Sequence, residues 1–105
     1  MYFPVSALLI EFLILSIVET QDSYGYEISQ TVKQVAELKE SKLYPILKKL
    51  EKAGYLTAYS QECHGRKRKY YSITPAGQEQ LSYLKQEWTS YRDTIDGITE
   101  GRIRN

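Results

Sequence analysis

The stretch Ser41–Lys69, SKLYPILKKLEKAGYLTAYSQECHGRKRK, decides how the rest of this chain is read. In its first half Leu43, Ile46, Leu47 and Leu50 recur at spacings of 3, 1 and 3, which gathers them on one face of a helix. Lys42, Lys48, Lys49 and Lys52 fall mostly on the other flanks. Ser41 can cap the helix, its hydroxyl accepting an orphan backbone N–H of the first turn. Gly54 suits the position just past the end, where the chain enters the left-handed region. Pro45 places the helix start close to Ser41, because a proline deep inside a helix loses a hydrogen bond and clashes with the preceding turn.

After Gly54 the period shortens to about 2. Tyr55–Cys63 and Lys69–Thr74, rich in Tyr, Thr and Ile, are the two expected strands, with His64, Gly65, Arg66 and Lys67 as the turn. A basic helix followed by a hairpin with a cationic tip suits a nucleic-acid duplex: the helix fits the major groove and the tip reaches adjacent phosphates. That is the outline of a winged helix.

The formal net charge of +1 hides a segregation. Residues 1–32 carry four acids and no Lys or Arg, residues 33–69 carry ten cations against four acids, and residues 70–105 carry four cations against five acids. The positive charge is thus concentrated in the helix and hairpin just described. A solvated helix followed by a basic loop would show the same segregation. The single cysteine, Cys63, excludes an internal disulfide and fits a reducing compartment. Its neighbour His64 is the only histidine, and adjacent strand residues point to opposite faces, so no metal site or nucleophile is expected. No phosphate-binding glycine loop, carboxylate pair or Ser/His/Asp set emerges; neither an enzyme nor a cofactor is expected.

Ser6 can cap a first helix from Ala7 to Glu19 whose apolar residues run almost all the way round. Its apolar run of about twelve residues is too short to span a bilayer, and no positively charged segment precedes it, so a soluble, cytoplasmic protein is expected. A helix apolar all round must be covered on several sides, and 105 residues leave little material to do so. A second copy of the chain is the simplest cover. Asp22 or Ser23 can open a second helix, Tyr24 to Glu37, with Tyr24, Ile28, Val32 and Val35 as its stripe and Gly25 allowing close packing against helix one. The short connection Leu38–Glu40 then leads to the basic helix, the order of a helix-turn-helix. Tyr44 stands near the start of that helix, where such folds contact bases, although a packed core tyrosine would fit as well.

Thr74-Pro75 opens a last helix with a favoured cap and first residue. Leu81, Leu84, Trp88, Tyr91, Ile95 and Ile98 recur along it at 3 and 4, a seam of about two and a half heptads. The seam suits a helix reaching across to a second subunit, with Leu9 and Phe12 of the first helix beside it. The tail Gly101–Asn105 is expected to fray.

Three motifs, YGYEI at Tyr24–Ile28, LYPILKKLEKAG at Leu43–Gly54 and GRKRKYYSIT at Gly65–Thr74, resemble the PadR family of bacterial transcriptional regulators in order and spacing. The resemblance covers nearly the whole chain. It implies a mainly α fold with a small β-hairpin: a winged helix-turn-helix over residues 1–74 and a C-terminal dimerisation helix with its tail over 75–105, forming one unit. It further implies a homodimer that binds double-stranded DNA at a palindromic operator, usually as a repressor. The short C-terminal helix is similar to that of the family's small subgroup. The candidate DNA-facing residues are Ser41, Lys42, Tyr44, Lys48 and Lys49 on the helix, and His64, Gly65, Arg66, Lys67 and Arg68 at the wing. Arg68 and Lys69 also match the motif and either pack or meet phosphate as the hairpin returns. The small subgroup includes drug-responsive members with a tryptophan facing its symmetry mate; by similarity Trp88, with Phe12 and Leu8, would stack a planar aromatic effector at the dimer centre or simply fill the interface. The expected dimer contacts are Leu9, Phe12, Leu81, Leu84, Trp88, Tyr91 and Ile95. A winged helix serving as a protein-interaction module, with no specific DNA binding, is the reading from another class.

Overall fold

The structure, a computed structural model, describes residues 2–104. Helix α1 (Ala7–Thr20) begins where the Ser6 hydroxyl accepts the Leu9 amide at 3.1 Å. Ile10, Ile14, Leu15 and Val18 form its buried stripe, while Leu8 remains more than half exposed and Leu9 and Phe12 are only partly covered. One side of this mostly apolar helix is therefore left uncovered by its own chain.

Strand β1 (Ser23–Tyr24) and helix α2 (Gly25–Val32) replace the longer second helix expected from Tyr24 to Glu37. Neither Asp22 nor Ser23 caps α2. The Asp22 carboxylate instead accepts the Tyr59 hydroxyl at 2.6 Å, which raises the Tyr59 pKa, and the Ser23 hydroxyl donates to the Gln21 carbonyl. Past Val32 the chain turns so that Ala36 and Leu38 become buried and Val35 faces outward, which ends the helical stripe.

Helix α3 (Glu40–Lys52) starts one residue before Ser41, with Lys39 at the cap position and no side-chain cap bond, so Ser41 does not cap it. Pro45 is its sixth residue and deprives the Ser41 carbonyl of its helical donor; Ser41 is exposed, where water can serve. Leu43, Leu47 and Leu50 are fully buried. The helix ends as expected at Gly54 (φ +84°), where the Tyr55 amide donates to Leu50 and the Gly54 amide to Glu51, both at 3.0 Å, a Schellman motif.

Strands β2 (Leu56–Cys63) and β3 (Arg66–Ile73) pair antiparallel from Leu56 opposite Ile73 to Cys63 opposite Arg66. The expected four-residue turn shrinks to His64 and Gly65, both at positive φ, because a two-residue primed turn matches the twist of the flanking strands. Arg66 and Lys67 therefore belong to β3. The sheet order is β1-β3-β2, and β1 covers only Tyr70 and Tyr71, so the cationic stretch Arg66–Lys69 keeps one open edge.

Helix α4 (Pro75–Thr99) opens as expected: Thr74 Oγ1 accepts the Gly77 amide at 3.0 Å and donates to the Gly54 carbonyl at 2.6 Å. Its heptad seam divides. Leu81 and Leu84, at 1% and 4% exposure, are buried in the core of their own chain, where α4 packs on α1. Trp88, Tyr91, Ile95 and Ile98 are exposed. The tail continues past α4 as a turn. A second Schellman motif at Gly101 turns the chain back, and the Ile103 side chain lies where Gly97 offers room. No helix among the described residues is long and apolar enough to cross a membrane.

Candidate nucleic-acid interface

Between α3 and β3 lies an open groove of about 1040 Å³. Lys48 and Lys52 line it from α3, and Arg66, Lys67, Arg68 and Lys69 line it from β3; Tyr24, Gly25 and Tyr26 close one end. Two carboxylates, Glu40 and Glu51, interrupt the cations. Glu51 lies 3.4 Å from the Lys69 ammonium, which also sits 5.4 Å from the Tyr71 ring centre. The Tyr71 phenol, and secondarily Glu51, hold the Lys69 pKa above its ordinary value, so this side chain stays cationic at neutral pH.

Of the ten residues expected to face DNA, the groove brings together Tyr44, Lys48, Arg66, Lys67 and Arg68. Ser41 and Lys42 are exposed on the first turn of α3, and His64 and Gly65 at the hairpin tip, all outside the groove lining. Lys49 does not share the groove. One residue beyond Lys48 it has rotated about 100° round the helix, and its ammonium pairs with Glu11 of α1 at 3.0 Å.

Lys52, Tyr24 and Tyr26 line the groove although they were not expected there, and Lys69 lines it beside Arg68. The signal for the two tyrosines lay in the run Tyr24-Gly25-Tyr26. A Cβ on Gly25 would stand 2.9 Å from Cε1 of Tyr44, so the close approach permitted by Gly25 is to Tyr44 of α3, not to α1. Tyr44 keeps 48% of its surface exposed while packed across this glycine. It is neither a core residue nor a freely rotating one.

A second, more apolar cavity of about 470 Å³ lies between the start of α1 and the middle of α4. Leu8, Leu9, Phe12, Trp88 and Tyr91 line it, with Leu84 at its floor. The Trp88 ring is 6.4 Å from Phe12 and 6.3 Å from Tyr91, both tilted. Ile95 lies outside this lining, further along α4.

A helix pair whose second member borders a cationic groove, closed by a two-stranded hairpin, is a winged helix-turn-helix. The model of the transcriptional regulator PadR-like family matches residues 14–83. A crystal structure of a Streptococcus mutans UA159 protein is 67% identical, covering 100% of this chain and 99% of that one, with a TM-score of 0.96. A PadR family transcription regulator from Clostridium difficile R20291 is 36% identical over 86% of this chain and 97% of its own, with a TM-score of 0.78. Bacillus subtilis PadR, solved in complex with operator DNA, is 27% identical over 72% of this chain and 46% of its own, with a TM-score of 0.65. The chain belongs to the PadR-like family, whose members are transcriptional regulators and not enzymes.

Proposed function

We propose that this chain is a DNA-binding transcriptional regulator that acts as a homodimeric repressor on a palindromic operator. The observation that carries the reading is the groove in which six cations of α3 and β3 converge beside an exposed helix start. Such a groove neutralises phosphates and sets register, while the exposed first turn of α3 (Ser41, Lys42) and the half-exposed Tyr44 are left for base edges. His64 and Gly65, at the wing tip, would meet the neighbouring phosphates. A regulator acting on chromosomal DNA would work in the cytoplasm.

Dimerisation through the distal half of α4 and the uncovered side of α1 is supported by the exposed apolar row Leu8, Trp88, Tyr91, Ile95 and Ile98. Two such chains give two recognition helices related by a two-fold axis, which a palindrome mirrors. The cavity at Trp88, Phe12 and Leu8 supports a planar aromatic effector, because tilted rings on its walls offer faces for stacking. A ligand there would sit at the joint of the two protomers and alter the spacing of their wings.

The test is binding to a labelled duplex from the region upstream of the protein's own gene. Lys48→Glu and Arg66→Glu should each weaken binding at least tenfold while leaving the circular dichroism spectrum unchanged, since each replaces attraction to phosphate by repulsion. Unaltered affinity in both variants would overturn the assignment of this groove.

A further inference from the structure

We infer that Arg68 is a pre-positioned phosphate-receiving guanidinium on the groove wall, and that Tyr24 is its positioning residue; the inference rests on the DNA-binding reading above. Tyr24 and Tyr59 are both register partners of Tyr70, one on each side, so three tyrosines form a single row across the three strands. Tyr59 stacks on Tyr70 with centroids 5.8 Å apart and planes at 18°, and Tyr24 meets Tyr70 edge-on at 5.3 Å. The Asp22 carboxylate fixes one end of the row by accepting the Tyr59 hydroxyl. Arg68 stands at the other end, its Cζ 4.5 Å from the centre of the Tyr24 ring.

This arrangement differs from that of the other groove cations. Lys69 is already paired with Glu51, and Lys48, Arg66 and Lys67 are exposed side chains that lose rotamer freedom when they seize a phosphate. Arg68 is partly buried and held against a ring that the row itself holds in place. No carboxylate among the described residues forms an ion pair with it, and its Nε is buried with no hydrogen-bond partner among them. An Nε covered in this way is closed to an arriving oxygen, which leaves the terminal Nη groups as the donors for a phosphate. A guanidinium resting on a ring keeps its in-plane donors for the two oxygens of a phosphate, which an ammonium cannot match. Tyr24 thus acts on DNA through Arg68, and its place in the YGYEI run is explained by the groove as well as by the start of α2.

Duplex affinity of the full-length protein, measured by fluorescence anisotropy over a salt series, tests this with both the upstream duplex and an unrelated one, because a phosphate contact does not depend on sequence. Tyr24→Leu should weaken binding roughly two- to fivefold per protomer, the range of a partly exposed cation–π contact, and Tyr24→Phe should restore it. Arg68→Ala should weaken binding further and lower the slope of log affinity against log salt by about 0.9 per protomer. On the Arg68→Ala background, Tyr24→Leu should cost nothing more. If Tyr24→Leu does not fold, Arg68→Lys carries the test: it should keep the salt slope yet bind less tightly than wild type. Independent, multiplying losses from Tyr24→Leu and Arg68→Ala, an unchanged slope in Arg68→Ala, or wild-type affinity in Arg68→Lys would overturn the inference while leaving DNA binding intact. A wild type that binds neither duplex would overturn both.

Discussion

Gly77→Ala probes the joint between the wing and α4. A Cβ at Gly77 would overlap the Tyr55 carbonyl oxygen and lie 2.8 Å from Cγ1 of Ile73. The obstacle is backbone and cannot swing aside freely, because the Tyr55 carbonyl accepts the Thr74 amide at 3.1 Å. Alanine gains about 0.5–1 kcal/mol over glycine inside a helix. Overpacking a tight site costs about 1–3 kcal/mol, and releasing the Tyr55–Thr74 bond costs about 1 kcal/mol more. The sum is a net destabilisation of roughly 1–3 kcal/mol. For a domain of this size each kcal/mol lowers Tm by about 4–8 °C. Thermal unfolding followed by circular dichroism measures it, with Ser82→Ala on the exposed side of the same helix as a propensity control expected to stay within about 0.5 kcal/mol of wild type. A Gly77→Ala protein as stable as wild type would refute the reasoning, since helix propensity would then outweigh the overlap.

Thr74→Ala should cost about 1 kcal/mol by removing the cap of α4, seen as a lower urea midpoint at unchanged slope; Thr74→Ser should recover most of it. Lys49→Ala should leave duplex affinity within about twofold of wild type, because Lys49 faces Glu11, whereas Lys48→Ala should weaken it several-fold and flatten its salt dependence. Equal losses from the two would place the interface wrongly. Planar cationic or phenolic compounds should quench the fluorescence of Trp88, the chain's only tryptophan, and flat titrations across both classes would remove the effector reading.

The winged-helix order was legible because its punctuation is chemical. Gly54 and Thr74-Pro75 marked the helix ends that occur, and the change of period at Gly54 announced the hairpin. What escaped depends on contacts between distant segments. β1 has two residues, too few for any period, and exists because Tyr70 and Tyr71 offer it a free edge. α2 stops at Val32 because Ala36 and Leu38 find the core, a tertiary preference that the spacing of Val32 and Val35 contradicts. The seam of α4 looked continuous, yet the core of the chain itself buries Leu81 and Leu84 and leaves the distal residues exposed. On the groove, charge predicted Lys48 and Arg66–Arg68, but it could not tell that Lys49 would turn towards Glu11. Tyr24 entered as the first residue of a helical stripe, and only the strand register places it beside Tyr70 and Arg68.

The most direct test of the central claim is affinity for the upstream duplex at several salt concentrations, with an excess of unrelated duplex as competitor. Each neutralised phosphate contributes about −0.9 to the slope of log affinity against log salt. Lys48, Lys52, Arg66, Lys67 and Arg68, the groove cations without a carboxylate partner among the described residues, therefore set a ceiling of about −9 for a dimer. The account predicts preferential binding that survives the competitor, with a slope of several units below that ceiling. Equal binding to both duplexes, erased together by salt, would show a basic surface without an operator-reading helix and would contradict it.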